Sequence, residues 1–323
     1  MEVTPPRVKA PNQGVLWKGR FDAMPELPDI EAYREGLTLK CVGRPLEQLR
    51  LMTPFLLRSV EPPIKEFDGL ILTDVKRLGK RLLFEFPEER FLVLHLMIAG
   101  RLRWKKKGAK APGKIGLAGF DFPDGTVILT EAGTKRRASL HAVRGRENLA
   151  PFLRGGLEPL TSSGAEFVAR LRLENHTLKR TLTDPRLFSG IGNAFSDEIL
   201  HRAQLSPLKW SSKLSDLEAT ELHDATVALL GEWTEKLVAA ARVEFPDEVT
   251  AFRPEFAVHG KYQKPCPVCG TPVQRIRYAD NETNYCPTCQ TDGKLLADRA
   301  LSRLLKEDWP RSLDEMEERL GNS

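Results

Sequence analysis

Two cysteine pairs, Cys266-Pro-Val-Cys269 and Cys286-Pro-Thr-Cys289, constrain the fold of this chain more than any other feature. A two-residue gap puts both thiols of a pair on one tight turn, and Gly270 supplies the positive φ that such a turn needs. The 16 residues between the pairs suffice for a hairpin that brings the second turn against the first. Four converging thiolates make a tetrahedral site whose natural occupant is one Zn2+. With Cys266, Cys269, Cys286 and Cys289 all engaged, no coordination position is left for water, so the metal is structural. The fifth cysteine, Cys41, reads as a buried small hydrophobe. This cysteine usage points to a reducing compartment with metal, not to a disulfide scaffold. A ribbon of this kind serves DNA, RNA and protein partners alike, so the function must be read elsewhere.

The 323 residues provide for two cores. No apolar run is long enough to cross a bilayer, so no membrane partner is expected. Residues 1–23 mix prolines with basic residues and lack a signal-peptide core; they read as a disordered extension or a misplaced start. Pro25 to Leu39 reads as a turn and a helix capped by Asp29. From about 44 to 150 the segments LILTDVKRL, RLLFEFP, RFLVLHLMIAGRLRW, GFDFPDGTVILTEAG and ASLHAV are short, β-branched or aromatic, and separated by turns; Phe122-Pro123-Asp124-Gly125-Thr126 is a hairpin. An antiparallel sandwich over 24–155 is expected, flanked by helix. The lysine-rich stretch 104–114 reads as a solvated hairpin tip, or else as a diffuse phosphate contact. After a linker near 156–160, residues 163–260 read as a second domain, helical over about 163–242 and less regular beyond, where Pro246 and Pro254 punctuate it: Phe167, Leu171 and Leu173 mark one helix, Leu178, Leu182 and Phe188 a second, Phe195–Leu205 a third and Leu214–Val243 a fourth. The ribbon covers 261–290, and 293–320 reads as helix again. The class is α+β in two domains, a sandwich followed by a helical domain with a four-cysteine zinc ribbon.

Two short stretches bear on chemistry. In Ser189-Gly190-Ile191-Gly192-Asn193-Ala194-Phe195, two glycines allow close backbone approach and Asn193 is placed to cap the next helix, whose free N–H groups attract an anion. With the ribbon and a net charge of +5, a DNA phosphate is the expected anion. In Met24-Pro25-Glu26-Leu27-Pro28, removal of Met24 leaves Pro25 as an N-terminal amine. An α-amino group titrates near about 7.7–8.0 and so is far less protonated at neutral pH than a lysine at about 10.4. Such an amine can attack a sugar C1′ to give an iminium, with the adjacent Glu26 protonating the ring oxygen. If the chain keeps residues before Pro25, that nitrogen is an amide and no nucleophile; with the resemblance described next, the alternative is then a non-catalytic binder of abasic or bent DNA. The expected start is Met24, or residues 1–24 are removed.

The order MPELPDIE, RLGKRLLF, HLMIAGRL, KRR, GIGNAFSDEIL and the four-cysteine ribbon resembles the formamidopyrimidine-DNA glycosylase and endonuclease VIII family over about residues 24–290, nearer the formamidopyrimidine branch at its start. The resemblance implies a bifunctional glycosylase and abasic-site lyase that removes oxidised bases from duplex DNA, works as a monomer and is cytoplasmic, at a bacterial-type nucleoid. It implies a helix–two-turn–helix domain, Pro25 as nucleophile and Glu26 as general acid/base. It further implies Lys80 at a phosphate near the lesion, assisting elimination, His95 and Asn193 on the kinked backbone, and Lys179 as a further DNA-contacting lysine. Arg136 or Arg137 would face the orphaned base. A flipped base and a bent duplex fit that chemistry.

Three positions and one loop depart from the family pattern. Ala138 stands where a phenylalanine wedge is usual, and Ile98, beside Met97, where a methionine wedge is usual. Asn281 stands near the usual ribbon arginine, with Arg275 or Arg277 as substitutes, which puts β-elimination ahead of δ-elimination. The glycine-rich lesion-capping loop is missing from 244–260. The tail 291–323 mixes acidic and basic residues and reads as a helix packed on the ribbon, or as a helix for a protein partner.

Overall fold

The computed structural model describes residues 24–133, 136–247, 249, 253–278, 281–297, 310, 312 and 315; residues 1–23 and most of the tail lie outside the described set. Two four-stranded antiparallel sheets face each other. One has the order β2-β3-β4-β8, from Asp74–Leu78, Arg81–Phe86, Arg90–His95 and Ser139–Arg144. The other has the order β1-β6-β7-β5, from Gln48–Leu51, Gly116–Phe122, Gly125–Glu131 and Gly100–Lys105. Alternation sends Leu82, Phe84, Leu92, Leu94, Leu140 and Ala142 into the shared core with Leu102, Phe120, Phe122, Val127 and Leu129. The expected hairpin is present, with Phe122 opposite Gly125. Cys41 is fully buried in this core, and burial pushes its thiol up to about 12.

Helix α1, Leu27–Cys41, joins the two halves of the molecule. Pro28 lies in its first turn, where a missing N–H costs nothing. Ile30, Tyr33, Leu37 and Cys41 enter the sandwich core, whereas Leu27 enters the helical core with Phe188, Ile191 and Phe195. Each fully buried aliphatic side chain contributes roughly 1.5–3 kcal/mol, so both cores hold the start of this helix. Its N-cap is Glu26 and not Asp29; Asp29 is the third helical residue, and its carboxylate accepts the Glu26 N–H at 2.9 Å.

The helical half contains α2 (Gly164–Leu171), α3 (Leu178–Thr183), α4 (Asn193–Arg202) and the long α5 (Asp216–Val243), which packs along α1. Two apolar residues assigned by periodicity fall outside these helices. Leu173 lies past the end of α2 and is exposed, and Phe188 lies in the turn after α3 and is buried. Helix α4 is buried on almost every side, including Ser196, Asp197 and Glu198. The ribbon follows as β9 (Gln274–Tyr278), β10 (Asn281–Tyr285) and the short α6 (Pro287–Thr291). Of the expected tail helix, residues 294–297 are not helical: Lys294 bridges Ser312, and the Leu296 N–H bonds the Tyr285 hydroxyl at 2.8 Å. Most of that expected helix lies outside the described residues.

Candidate active site

Pro25 and Glu26 are buried where α1 meets the turn ahead of α4. The Leu27 N–H donates to the Gly190 carbonyl at 2.9 Å, tying the two segments together. The Glu26 carboxylate then accepts three backbone N–H groups: Gly192 at 2.6 Å, Ala194 at 2.8 Å and Phe195 at 3.2 Å. The anion at this helix N-terminus is thus an internal carboxylate, where the sequence pointed to a DNA phosphate. The physics is the same, since the terminal N–H groups and the helix dipole favour negative charge, but the ligand is the chain itself. Asn193 does not cap α4 either; Gly192 is the N-cap, and the Asn193 amide donates to the Glu282 carbonyl of β10 at 2.9 Å.

The glycines are required by contact. Gly190 has φ +79, and a Cβ there would lie 2.8 Å from Leu27 Cβ. A Cβ on Gly192 would collide with the Glu26 carboxyl and come within 2.6 Å of Lys80 Nζ. Lys80 reaches this point from the two-residue turn between β2 and β3, where Gly79 takes φ +62. Burial lowers the Lys80 pKa; Glu26 favours its charge and Lys179 opposes it. Lys179 Nζ donates to the Asn193 carbonyl at 2.6 Å and to Asp197 at 2.5 Å. His95 ends β4 directly opposite Arg81, the residue after Lys80. Burial first, then Arg81, Lys80, Arg154 and His141, lower its pKa to about 3, so it is neutral at physiological pH.

The structure therefore gathers Pro25, Glu26, Lys80, Lys179 and Asn193 at one junction, with His95 beside it. Arg136 and Arg137 are exposed on the connection from β7 to β8. Arg136 donates to the Lys114 carbonyl, and the buried Glu131 carboxylate accepts the Arg137 N–H at 2.9 Å and the Ala138 N–H at 3.1 Å. Ala138 is buried and presents no wedge, whereas Ile98 is 40% exposed at the tip following Met97, which has φ +53.

Sequence reasoning missed the buried charges behind the site. Asp197, with no exposed side-chain area, also accepts from His259 Nδ1 at 2.8 Å and from the Asn284 N–H at 3.1 Å. Burial opposes its charge, but Lys179 and His259 hold its pKa below the usual carboxylate range. Asp29 pairs with Arg253 at 2.5 Å, yet burial keeps its pKa raised. Arg77 joins Glu31 of α1 to Glu158 of the interdomain linker, and Glu158 also accepts from Ser189. The only available signal was the run of polar residues inside α4 between Phe195 and Ile199.

The four cysteine sulfurs lie within 4.8 Å of one another, with 3.9 Å between Cys266 and Cys289 and 3.4 Å between Cys269 and Cys286. Zinc–sulfur bonds of about 2.3 Å place tetrahedral sulfurs roughly 3.8 Å apart, so the donor set fits one structural zinc ion. His201 Nε2 lies 3.3 Å from Cys266 Sγ, behind that sulfur.

Three sequence families match in chain order: the formamidopyrimidine-DNA glycosylase N-terminal domain over 24–137, the H2TH domain of the same glycosylase over 156–239, and the zinc finger found in FPG and IleRS over 263–291. Formamidopyrimidine-DNA glycosylase from Desulfitobacterium hafniense is 32% identical over 83% of this chain and 100% of its own length. The chain belongs to the formamidopyrimidine-DNA glycosylase family. The MutM (FPG) structure from Thermus thermophilus superposes with a TM-score of 0.70 at 31% identity, covering 82% of this chain and 98% of that one. A Lactococcus lactis FPG mutant in complex with Fapy-dG DNA gives 0.74 at 27% identity, covering 83% and 100%. An uncharacterised glycosylase-like protein of Mycobacterium tuberculosis is 40% identical over 47% of this chain and 94% of its own length.

Within this family frame, the segment without a glycine-rich loop has packing partners of its own. Phe245 enters the sandwich core, Asp247 pairs with Lys105 at 2.5 Å, and Arg253 reaches Asp29. In the ribbon, Arg275 lies over the Tyr262 ring at 4.0 Å and 3.5 Å from Glu282, while Arg277 is 3.9 Å from the same carboxylate.

Proposed function

We propose that the protein excises damaged bases from duplex DNA and then cleaves the abasic strand through a Schiff base on Pro25. The observation that carries this reading is the Glu26 carboxylate, which follows Pro25 directly, lies beside Lys80 and is fixed by three N–H groups at the N-terminus of α4, those of Gly192, Ala194 and Phe195. A carboxylate locked by backbone donors cannot swing away, so its proton is delivered at one place. The Pro25 amine attacks C1′, and the C1′–N bond breaks with its electron pair leaving on the base, which takes up a proton. Glu26 takes the proton that the Pro25 nitrogen loses on bonding to C1′ and passes it to the ring oxygen as the ring opens, leaving an iminium. Loss of a C2′ proton then expels the 3′ phosphate, with Lys80 beside that phosphate, and water releases Pro25 from the product. The partner is duplex DNA; relatives of this fold are seen with Fapy-dG DNA and with carbocyclic 8-oxo-G DNA, so oxidised purines are the first substrates to test.

The chemistry needs a free Pro25 nitrogen, and a form that retains the Met24–Pro25 amide only binds. The decisive test is borohydride reduction of a mixture of abasic duplex and protein beginning at Pro25. A covalent complex is expected, and it should disappear when Met24 is retained. Absence of the complex, or equal trapping by Pro25→Gly, overturns the proposal. A gel of the 3′ ends reads β- against δ-elimination; β-elimination products are expected, because the guanidinium groups of Arg275 and Arg277 both lie within 4.0 Å of Glu282.

A further inference from the structure

The outer face of the β2-β3-β4-β8 sheet has an apolar satellite core at one end, built from Leu83, Phe91, Val93, Val143 and Leu149. Its other end is basic. Arg81 is in register with His95, and His95 with Ser139, so alternation puts Arg81, His95 and His141 on the same face. The segment 146–152 folds over that face and packs the Phe152 ring edge-on to His141 at 4.9 Å. The Phe152 carbonyl accepts from Arg81 at 3.4 Å, and Arg154, two residues further on, is close enough for its charge to act on Arg81 and His95. Arg58 is anchored beside His141, its backbone N–H donating to the Leu140 carbonyl at 2.8 Å, and its charge acts on that imidazole.

Among the described residues, no carboxylate forms an ion pair with Arg58, Arg81, His95, His141 or Arg154, although most other arginines of the fold have such a partner. The carboxylate on the same face of β3, Glu85, is four residues beyond Arg81, about 13 Å along the strand, and it pairs with Lys76. Burial first, and then the nearby Arg81, Lys80, Arg154 and His141, disfavour protonation of His95. Clustered like charges on a half-buried face repel one another, and an anion shared among them relieves that repulsion. Lys80 places the cluster next to the active-site junction.

We propose that Arg81, His141 and Arg154, with Arg58 at their edge, form an accessory phosphate track that continues from Lys80 and His95 and holds the DNA backbone beyond the attacked nucleotide. This rests on the reading that the ligand is duplex DNA. The track is a point-charge and hydrogen-bond surface, so it positions the duplex and reads no sequence.

The test measures binding of protein beginning at Pro25 to a duplex carrying a tetrahydrofuran abasic analogue, across a range of KCl concentrations. Each phosphate contact contributes about −0.9 to the slope of log K against log salt. The double variant Arg81→Gln/Arg154→Gln is expected to reduce that slope by about 1–2 in magnitude and to weaken binding about tenfold at low salt, with its unfolding midpoint held. Arg81→Lys/Arg154→Lys is expected to recover most of the loss. Neutral methylphosphonates introduced one at a time should weaken wild-type binding at phosphates to which the Gln variant is indifferent. A folded Gln variant with an unchanged slope overturns the inference, as does a site that binds inorganic phosphate without any difference in slope. If the Gln variant fails to fold, wild-type protein insensitive to every methylphosphonate outside the lesion's flanks overturns it as well. Borohydride trapping is read separately. Trapping with an unchanged slope removes the track alone, and a reduced slope without trapping removes the catalytic reading alone.

Discussion

Glu26 and Gly192 occupy one volume between them: the Gly192 N–H donates to the Glu26 carboxylate at 2.6 Å, and the place of a Cβ on residue 192 is already taken by that carboxyl and by Lys80 Nζ. Gly192→Ala therefore has to displace both groups. A displacement of about 1 Å in a positioned catalytic group can cost on the order of 100-fold in rate. Single-turnover base release from oxidised duplex is expected to fall by about that factor, with a stability loss of about 1–3 kcal/mol from overpacking. Unchanged turnover in Gly192→Ala would show that Glu26 has no fixed role.

Glu26→Gln separates two functions of the same carboxylate. The amide keeps the volume, loses the exchangeable proton and turns an NH2 toward the N–H groups of α4. General acid–base catalysis contributes about 100- to 10,000-fold, so base release should fall in that range. Loss of charged hydrogen bonds should cost about 1–3 kcal/mol, read by urea unfolding. Trapping on abasic DNA, which bypasses base release, should survive better than excision itself; equal loss of both would count against the assigned role.

Much of this was legible in the sequence because it is local. The four cysteines declare a site by spacing, the strands of the sandwich show period-two patterning, and Gly190 and Gly192 mark a turn where backbone comes close. What lay beyond reach was which partner fills that turn. Glu26 is 166 residues away from Gly192, and nothing local distinguishes an internal carboxylate from a DNA phosphate. The same holds for Asp197. A polar run in a helix reads as solvated surface until Lys179, His259 and Asn284 are brought around it by other elements. The caps of α1 and α4 were misplaced because Asp29 and Asn193 suit a cap by residue type, while the third-residue and first-residue positions they occupy suit them equally well.

Asp197 supports the site from behind. Asp197→Ala leaves the Lys179 ammonium buried without its partner and frees both His259 and the β10 backbone. Breaking a buried pair from one side costs about 3–5 kcal/mol. Urea unfolding should show a loss in that range, and the double variant Asp197→Ala/Lys179→Met should lose less than the two single changes together. Strict additivity would mean that the pair is not coupled.

Zinc removal should act at the active site through Asn193. Its side chain is tied to the Glu282 carbonyl of the ribbon hairpin, and the hairpin depends on the metal held by Cys266, Cys269, Cys286 and Cys289. Dialysis against a strong chelator is expected to release one zinc per chain, lower the unfolding midpoint and weaken binding to abasic duplex. Zinc restores all three if unfolding stops at the ribbon. Full DNA affinity without metal would show that the ribbon is dispensable for binding.

His95 should make stability depend on pH. Its pKa in the folded protein is about 3 against an ordinary 6.5, because burial and the cations Arg81, Lys80, Arg154 and His141 disfavour its charge. Between those values the unfolded chain binds a proton that the folded chain does not, so the slope of unfolding free energy against pH is positive there. Stability is thus complete above about pH 6.5 and falls steadily as pH drops toward 3. His141 is lowered as well, so it adds to the same trend. His95→Gln has no imidazole to protonate and should lose less stability than wild type between pH 6.5 and 4, measured by urea unfolding at each pH. Parallel curves for the two proteins would show that His95 is not the group responsible.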